Sequence, residues 1–427
     1  MGFNPFEQNP TPLDCFYDWK GLYPYSYNKY EVDPYTRCRV ILMNGAEVEA
    51  TFFSHQFFRN CPDEALRREL ALIRRTEQQQ QKRIQTLKPV NETPLEATIG
   101  YEQLAVDLTA GMAQTEPNSL VKSALDFALL EDFDHLYRYA NLLEMDQGGE
   151  RAEFLVGCYT EIMPGRPTIS EHRFPKDDPR PFVDFTTADP LTKLHAQIIT
   201  AAEQQTMNYY MNLCALYPND LGRRLYQEIG MIEEQHVTQY GSLLDPRRTW
   251  LENLLEHEYT ECYLYYSCYM TETDPHIRVM WEQHLNQEVG HLQKAAALLE
   301  QYEGKQWQQV IPNGEFPQLL QLHPNKEYIR QILGNTVWNT AVIGGYQDVR
   351  QLPLDAPFCT YQKQVNNNPA CEPAHQTIEK HICQYGKDYR YQQGPSPAPQ
   401  LDCRTQDNIW VGREAPCLTG EGLGQGR

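Results

Sequence analysis

The pattern that most limits what this chain can fold into is written twice between His195 and Leu299. Glu203, Tyr210, Glu233 and His236 recur as Glu258, Tyr265, Glu288 and His291, each 55 residues later. In both copies a lone Glu on one helix-like segment is followed thirty residues on by Glu-x-x-His on the next. Glu and His at i and i+3 leave one helix face about one turn apart. The repeat therefore predicts two helical hairpins, forming four antiparallel helices that turn Glu, Glu-x-x-His, Glu and Glu-x-x-His toward a common axis.

Four carboxylates and two imidazoles offset the charge of two divalent ions and leave positions open for oxygen species. Without metal or protons, such a cluster inside a bundle is strongly destabilising. Mixed carboxylate and imidazole ligation suits iron or manganese and disfavours thiolate-loving metals. Glu233 and Glu288 are placed to bridge, Glu203 and Glu258 to be terminal, and His236 and His291 to hold one metal each. Tyr210 and Tyr265 lie two turns beyond the lone Glu on the same face. They fit either a hydrogen bond to a ligating carboxylate of the opposite hairpin or ordinary burial. One Glu-x-x-His carries little weight; two with identical upstream Glu and Tyr carry much more.

Taken in order, residues 1–61 read as a Tyr-, Pro- and Asn-rich extended arm that ends in a β-hairpin at about 38–53. Asn44-Gly45 between CRVILM and EVEATFF is the turn signal for that hairpin. Residues 62–146 read as helices: one from Pro62 to before Pro89, then 95–114 and 119–145, parted by Glu116-Pro117-Asn118. A Pro-rich crossover fills 147–188, too long for an ordinary connection; its Glu171-His172-Arg173 either caps a site or pins the loop by ion pairs. The main bundle occupies 189–303, with helices at 189–216, 219–244, 248–272 and 275–302. Asp189-Pro190 and Asp274-Pro275 mark two of their starts. In 304–427 a helix near 325–339 is expected, followed from about Leu352 by a largely irregular Pro-, Gln- and Asn-rich tail, docked by its aromatics on a partner subunit.

Glu102, Asp132 and His135 repeat the spacings of 30 and 3, with Thr109 in the Tyr position. Tyr139 to Leu143 also matches Tyr240 to Leu244. This is a third, degenerate hairpin, read as structure copied without its chemistry; the alternative is a second metal site, to which Glu77 would add a carboxylate.

The charge balance, 37 basic against 57 acidic residues for a net of −20, offers no basic cluster for a phosphate backbone. Nucleic acid is thereby excluded as an expected partner, and the acidic surface suits metal cations. No apolar run reaches membrane-spanning length. The N-terminus MGFNPFEQNPTPLDCF lacks a signal-peptide pattern, and the twelve cysteines include no C-x-x-C pair. Reduced thiols in a cytoplasm are the expectation.

With these motifs in view, residues 189–302 resemble the ferritin-like superfamily and, within it, the rubrerythrins; 95–145 share the resemblance faintly. The detail that points to that branch is Glu258-x-x-Glu261 on the third helix. The resemblance implies a mainly α, antiparallel four-helix bundle with two iron ions, manganese being the alternative. It implies that Glu261 is a seventh, redox-switched ligand opposite His236; a solvent-facing helix Glu is the other reading. It also implies reduction of hydrogen peroxide or dioxygen. A rubrerythrin carries a rubredoxin-like site with paired C-x-x-C motifs, which is missing here, so electrons must come from a separate donor protein. A homo-oligomer is expected. Two competing readings are an iron-handling ferroxidase and a non-catalytic assembly protein built on the bundle.

Overall fold

The computed structural model describes residues 2–149, 151–163, 172–366 and 368–386. Among them are twelve α-helices and one two-stranded antiparallel sheet. Four helical hairpins dominate: α1 (Pro34–Asn60) with α2 (Glu64–Gln85), α3 (Pro94–Thr115) with α4 (Ser119–Gln147), α6 (Pro190–Leu216) with α7 (Asp220–Gly241), and α8 (Trp250–Thr271) with α9 (Pro275–Glu303). A short α5 (Arg151–Leu155) precedes the crossover.

Local sequence sets where these helices begin. Each N-cap side chain accepts a backbone N–H of the first turn: Asp33, Asp63, Thr93 and Asn118 in α1–α4, then Asp189, Asn219, Thr249 and Asp274 in α6–α9. The second set lies 156 residues after the first, position by position. Even the reciprocal capping box recurs, Thr93 with Glu96 and Thr249 with Glu252. The helical framework is thus an internal duplication of a four-helix unit.

The two halves are interlocked. Thr36, on α1, donates to Glu272 at the end of α8 at 2.5 Å, and Thr192, on α6, donates to Glu116 at the end of α3 at 2.5 Å. These contacts exchange equivalent residues between halves. Buried side-chain contacts pair the hairpins crosswise. Thr98 of α3 meets Tyr226 of α7 at 2.7 Å, whereas Arg83 of α2 meets His284 of α9 at 2.9 Å. One four-helix group is therefore α3, α4, α6 and α7; the other is α1, α2, α8 and α9. The expected closure of α6–α9 on themselves does not occur, because each hairpin presents its polar inner face to a hairpin of the other half.

The expected β-hairpin at 38–53 is overturned: that stretch lies inside α1. Asn44-Gly45 serves a helix crossing instead of a turn. A Cβ on Gly45 would stand 2.8 Å from Gln205 Nε2, so the missing side chain lets α1 approach α6. Gln205 Nε2 in turn donates to the Ile41 carbonyl at 2.9 Å. The sheet lies elsewhere, β1 (Asn339–Val342) with β2 (Gly345–Asp348), its turn carrying Gly344 at φ 80°.

Residues 2–33 form an arm on the molecule's own surface. Phe3 stacks on Tyr266 at 4.1 Å and Phe6 on Trp307 at 3.8 Å. Thr11 N–H donates to the Asn286 carbonyl at 3.0 Å, laying the arm along α9. After α10 (Lys326–Thr336) the described residues, up to 386, are not largely irregular. It forms α11 (Pro357–Val365) and α12 (Pro373–Tyr385), each opened by Pro in its first turn. Ala374 N–H donates to Glu228 at 2.7 Å and His381 meets Glu144 at 2.5 Å, docking α12 on α7 and α4. The remainder of the tail, 387–427, and Glu171 lie outside the described residues. No described helix is long and apolar enough to cross a membrane.

Candidate functional site

The crosswise pairing divides the expected ligands between two buried clusters. In the first, α3 and α6 supply Glu102 and Glu203, while α4 and α7 supply Asp132, His135, Glu233 and His236. All six are at most 2 % exposed. One ligand atom each from Asp132, Glu203, Glu233 and His236 lies within 4.8 Å of the others, and so does one each from Glu102, His135 and Glu233. Glu233 belongs to both sets. His236 Nδ1 stands 3.1 Å from Glu233, 3.4 Å from Asp132 and 3.5 Å from Glu203. His135 Nδ1 is 3.0 Å from Glu233.

Those separations are short enough for direct imidazole–carboxylate contacts and also for ligand atoms that share one ion. Two atoms each about 2.1 Å from one metal, at roughly a right angle, are about 3 Å apart. Hydrogen bonding within the protein leaves the cluster incomplete: Glu102 Oε2, both Asp132 oxygens and Glu203 Oε1 are buried with no hydrogen-bond partner among the described residues. Buried carboxylate oxygens left this way are costly unless a cation or protons complete them. The donor set, four carboxylates and two imidazoles, fits two iron or manganese ions.

Electrostatics reflect the crowding. Burial pushes Glu102 up to about 8 and Glu203 up to about 7, and lifts Asp132 well above the usual carboxylate range. Glu233 goes the other way: burial raises it, but His135 and His236 prevail and hold it at about 2. Burial lowers His236, yet Glu203, Glu131 and Glu233 raise it well above the ordinary imidazole value.

Surrounding groups orient these side chains. Tyr210, on α6, donates its hydroxyl to Glu102 Oε1 at 2.5 Å, across hairpins. His236 donates Nε2–H to Glu131 at 2.7 Å, which fixes the tautomer that leaves Nδ1 facing the carboxylates. Glu131 is in turn paired with Arg173, whose Nε donates to Asp178 at 2.6 Å. Arg173 of the crossover thus reaches the site through Glu131, while His172 pairs with Glu228 at 3.1 Å. Glu131 is invisible to the repeat because it precedes Asp132 and does not share the spacings of 30 and 3.

The second cluster contains Glu258, Glu288 and His291, which the 55-residue repeat predicts to join Glu203, Glu233 and His236. They meet Glu77 of α2 instead: His291 Nδ1 is 2.8 Å from Glu77, 3.0 Å from Glu288 and 3.7 Å from Glu258. Glu261 does not face His236. It joins Glu47 and Glu77, with ligand atoms within 4.8 Å of one another. Tyr265 donates its hydroxyl to Glu47. Glu47 is hidden by the Asn-Gly signal, which predicts a strand for its segment. It does carry the repeat: Glu47, Glu77 and Gln80 have the same spacings of 30 and 3, and Glu47 lies 55 residues before Glu102.

No family model, curated protein or solved structure matches this chain.

Proposed function

We propose that this chain is a non-haem di-iron oxidoreductase of ferritin-like, rubrerythrin-like type. Its reaction centre is the cluster of Glu102, Asp132, His135, Glu203, Glu233 and His236. The observation that carries the reading is the convergence of four carboxylates and two imidazoles, with buried oxygens that have no protein partner among the described residues. Glu102, Asp132, His135, Glu203, Glu233 and His236 would hold a pair of iron ions, which would supply reducing electrons and a Lewis-acidic place for oxygen toward hydrogen peroxide or dioxygen. Manganese fits the same donors.

The protein's part is positional and electrostatic. Glu233 lies between the two ligand sets and would bridge, with Asp132 opposite it on α4. Glu102 and Glu203 would be terminal, with Tyr210 fixing the rotation of Glu102. Glu131 holds His236 in one tautomer and raises its basicity, and Arg173 pairs with Glu131 from the other side. The ligands are buried on helices whose apolar residues, among them Ile99, Phe133, Leu136 and Ile229, belong to one hydrophobic core. With no C-x-x-C pair anywhere in the sequence, the electrons would come from a separate donor protein.

The test is metal content and spectroscopy on anaerobically purified chain. Iron loading that yields an oxo-bridged absorption after stoichiometric peroxide, and that disappears in Glu203→Gln/His236→Gln, is the expected result. A folded chain that binds iron there but leaves peroxide unconsumed would leave the assembly role; consumption with manganese and without reductant would make it a catalase.

A further inference from the structure

We propose that the second cluster, between α1–α2 and α8–α9, is a separate dinuclear centre built for hard cations, manganese(II) above all. It differs from the first by substitution at equivalent positions. Gln80 stands where the other three hairpins place His135, His236 and His291. Glu261 adds a carboxylate that the first cluster lacks, because Ala105 on α3 and Thr206 on α6 occupy the corresponding places. The result is five carboxylates, Glu47, Glu77, Glu258, Glu261 and Glu288, around the single imidazole of His291.

Two ion positions are laid out. Glu77, Glu258, Glu288 and His291 offer one set of atoms within 4.8 Å of one another, and Glu47, Glu77 and Glu261 another. Glu77 is common to both. What points to ligands, beyond acidity, is the state of the buried side chains. Glu261 is 1 % exposed, and neither of its oxygens has a hydrogen-bond partner among the described residues. Glu47 Oε2 and Glu258 Oε2 are in the same condition. Gln80 donates Nε2–H to Glu288, which leaves its buried Oε1 without a partner among the described residues and available as a neutral oxygen donor.

The second position is therefore all oxygen. Imidazole shifts preference toward zinc, copper and iron, whereas carboxylate and carbonyl oxygens suit manganese and magnesium. A cavity of about 260 Å³ lies beside the cluster, and His257 lines it together with Glu49, Phe53, Asp245 and Glu256. His257 Nε2 lies 3.7 Å from Glu261 Oε2.

The experiment uses the full chain, stripped of metal, equilibrated with Mn²⁺ and desalted, with ions counted per chain. About four are expected in the wild type, as two dinuclear sites require. Glu47→Gln/Glu261→Gln should lose the ion of the oxygen-only position, and Glu203→Gln/His236→Gln should lose those of the first centre alone. Anomalous scattering from a Mn²⁺-loaded crystal, with a peak between Glu77 and Glu261, would establish the same position without any variant. Gln80→His should shift the Mn²⁺-to-Zn²⁺ preference toward zinc by roughly tenfold. If the wild type holds two ions and Glu203→Gln/His236→Gln abolishes both, with no density at Glu261, the second centre is refuted while the reading of the first survives. If no ion binds anywhere, both fall together.

Discussion

Glu131 is a buried carboxylate that touches no candidate ion position, yet His236 depends on it. It accepts the Nε2–H of His236 on one side and pairs with Arg173 on the other. Replacing it with Gln preserves an acceptor of nearly the same shape and removes only the charge. Glu131→Gln should therefore weaken metal binding at the first centre by about 10–100-fold, the usual effect of losing such a partner. A chelator competition would measure it; unchanged affinity would reduce Glu131 and Arg173 to pins for the crossover. Arg173→Met is the harsher change. It removes the cation that Glu131 and Asp178 share, and a cost of about 3–5 kcal/mol should appear in urea unfolding.

Gly45 shows how helices, once formed, are placed against each other. Its absent side chain lets α1 close on α6, with Gln205 Nε2 at 2.8 Å, Cδ at 3.2 Å and Cβ at 3.4 Å from where a Cβ would be. Gly45→Ala should be nearly neutral, because the flexible amide can give way and Ala recovers about 1 kcal/mol of helix propensity. Gly45→Leu cannot be accommodated that way and should cost about 1–3 kcal/mol by thermal unfolding. A neutral Leu variant would mean the crossing is loose. The same residue explains what is hard to read in the sequence. Asn-Gly is a turn signal locally, and only a partner 160 residues away makes it a crossing point. By contrast, α2–α4 and α6–α9 are legible because their N-caps and Pro positions are local chemistry, whereas the short α5 inside the expected crossover is not. The spacing of ligands within each hairpin is legible for the same reason. Which hairpin faces which is not, since a 55-residue offset says nothing about partners; Glu47 and the split of the ligands into two clusters stay hidden with it. In α11 and α12, Pro- and Gln-rich composition conceals short helices whose apolar residues, such as Phe358 and Ile378, are buried.

The interlocked halves make the stability of the entire chain answer to its buried carboxylates. Each cluster draws ligands from both halves, so its charge is confined at their junction. Burial pushes Glu102 up to about 8 and Glu203 up to about 7 from an ordinary 4.5. Without metal, the folded chain then holds protons that the unfolded chain has already released, and stability must fall as pH rises from about 4.5 to about 8. His236 adds to the trend: against the cost of burial, its carboxylate neighbours raise it, and that stabilisation is lost as pH climbs past its folded value. Glu233, held at about 2 by His135 and His236 despite burial, acts oppositely, but only below about 4.5. Bound cations replace those protons, so they should stabilise the chain more at higher pH. The metal-free melting temperature should thus fall by several degrees between pH 5.5 and 8.5, and the increment from Mn²⁺ or Fe²⁺ should widen over the same range. A metal-free chain that becomes more stable toward pH 8.5 would show that these carboxylates are not confined together as the fold places them. The cations would then have no charge there to neutralise.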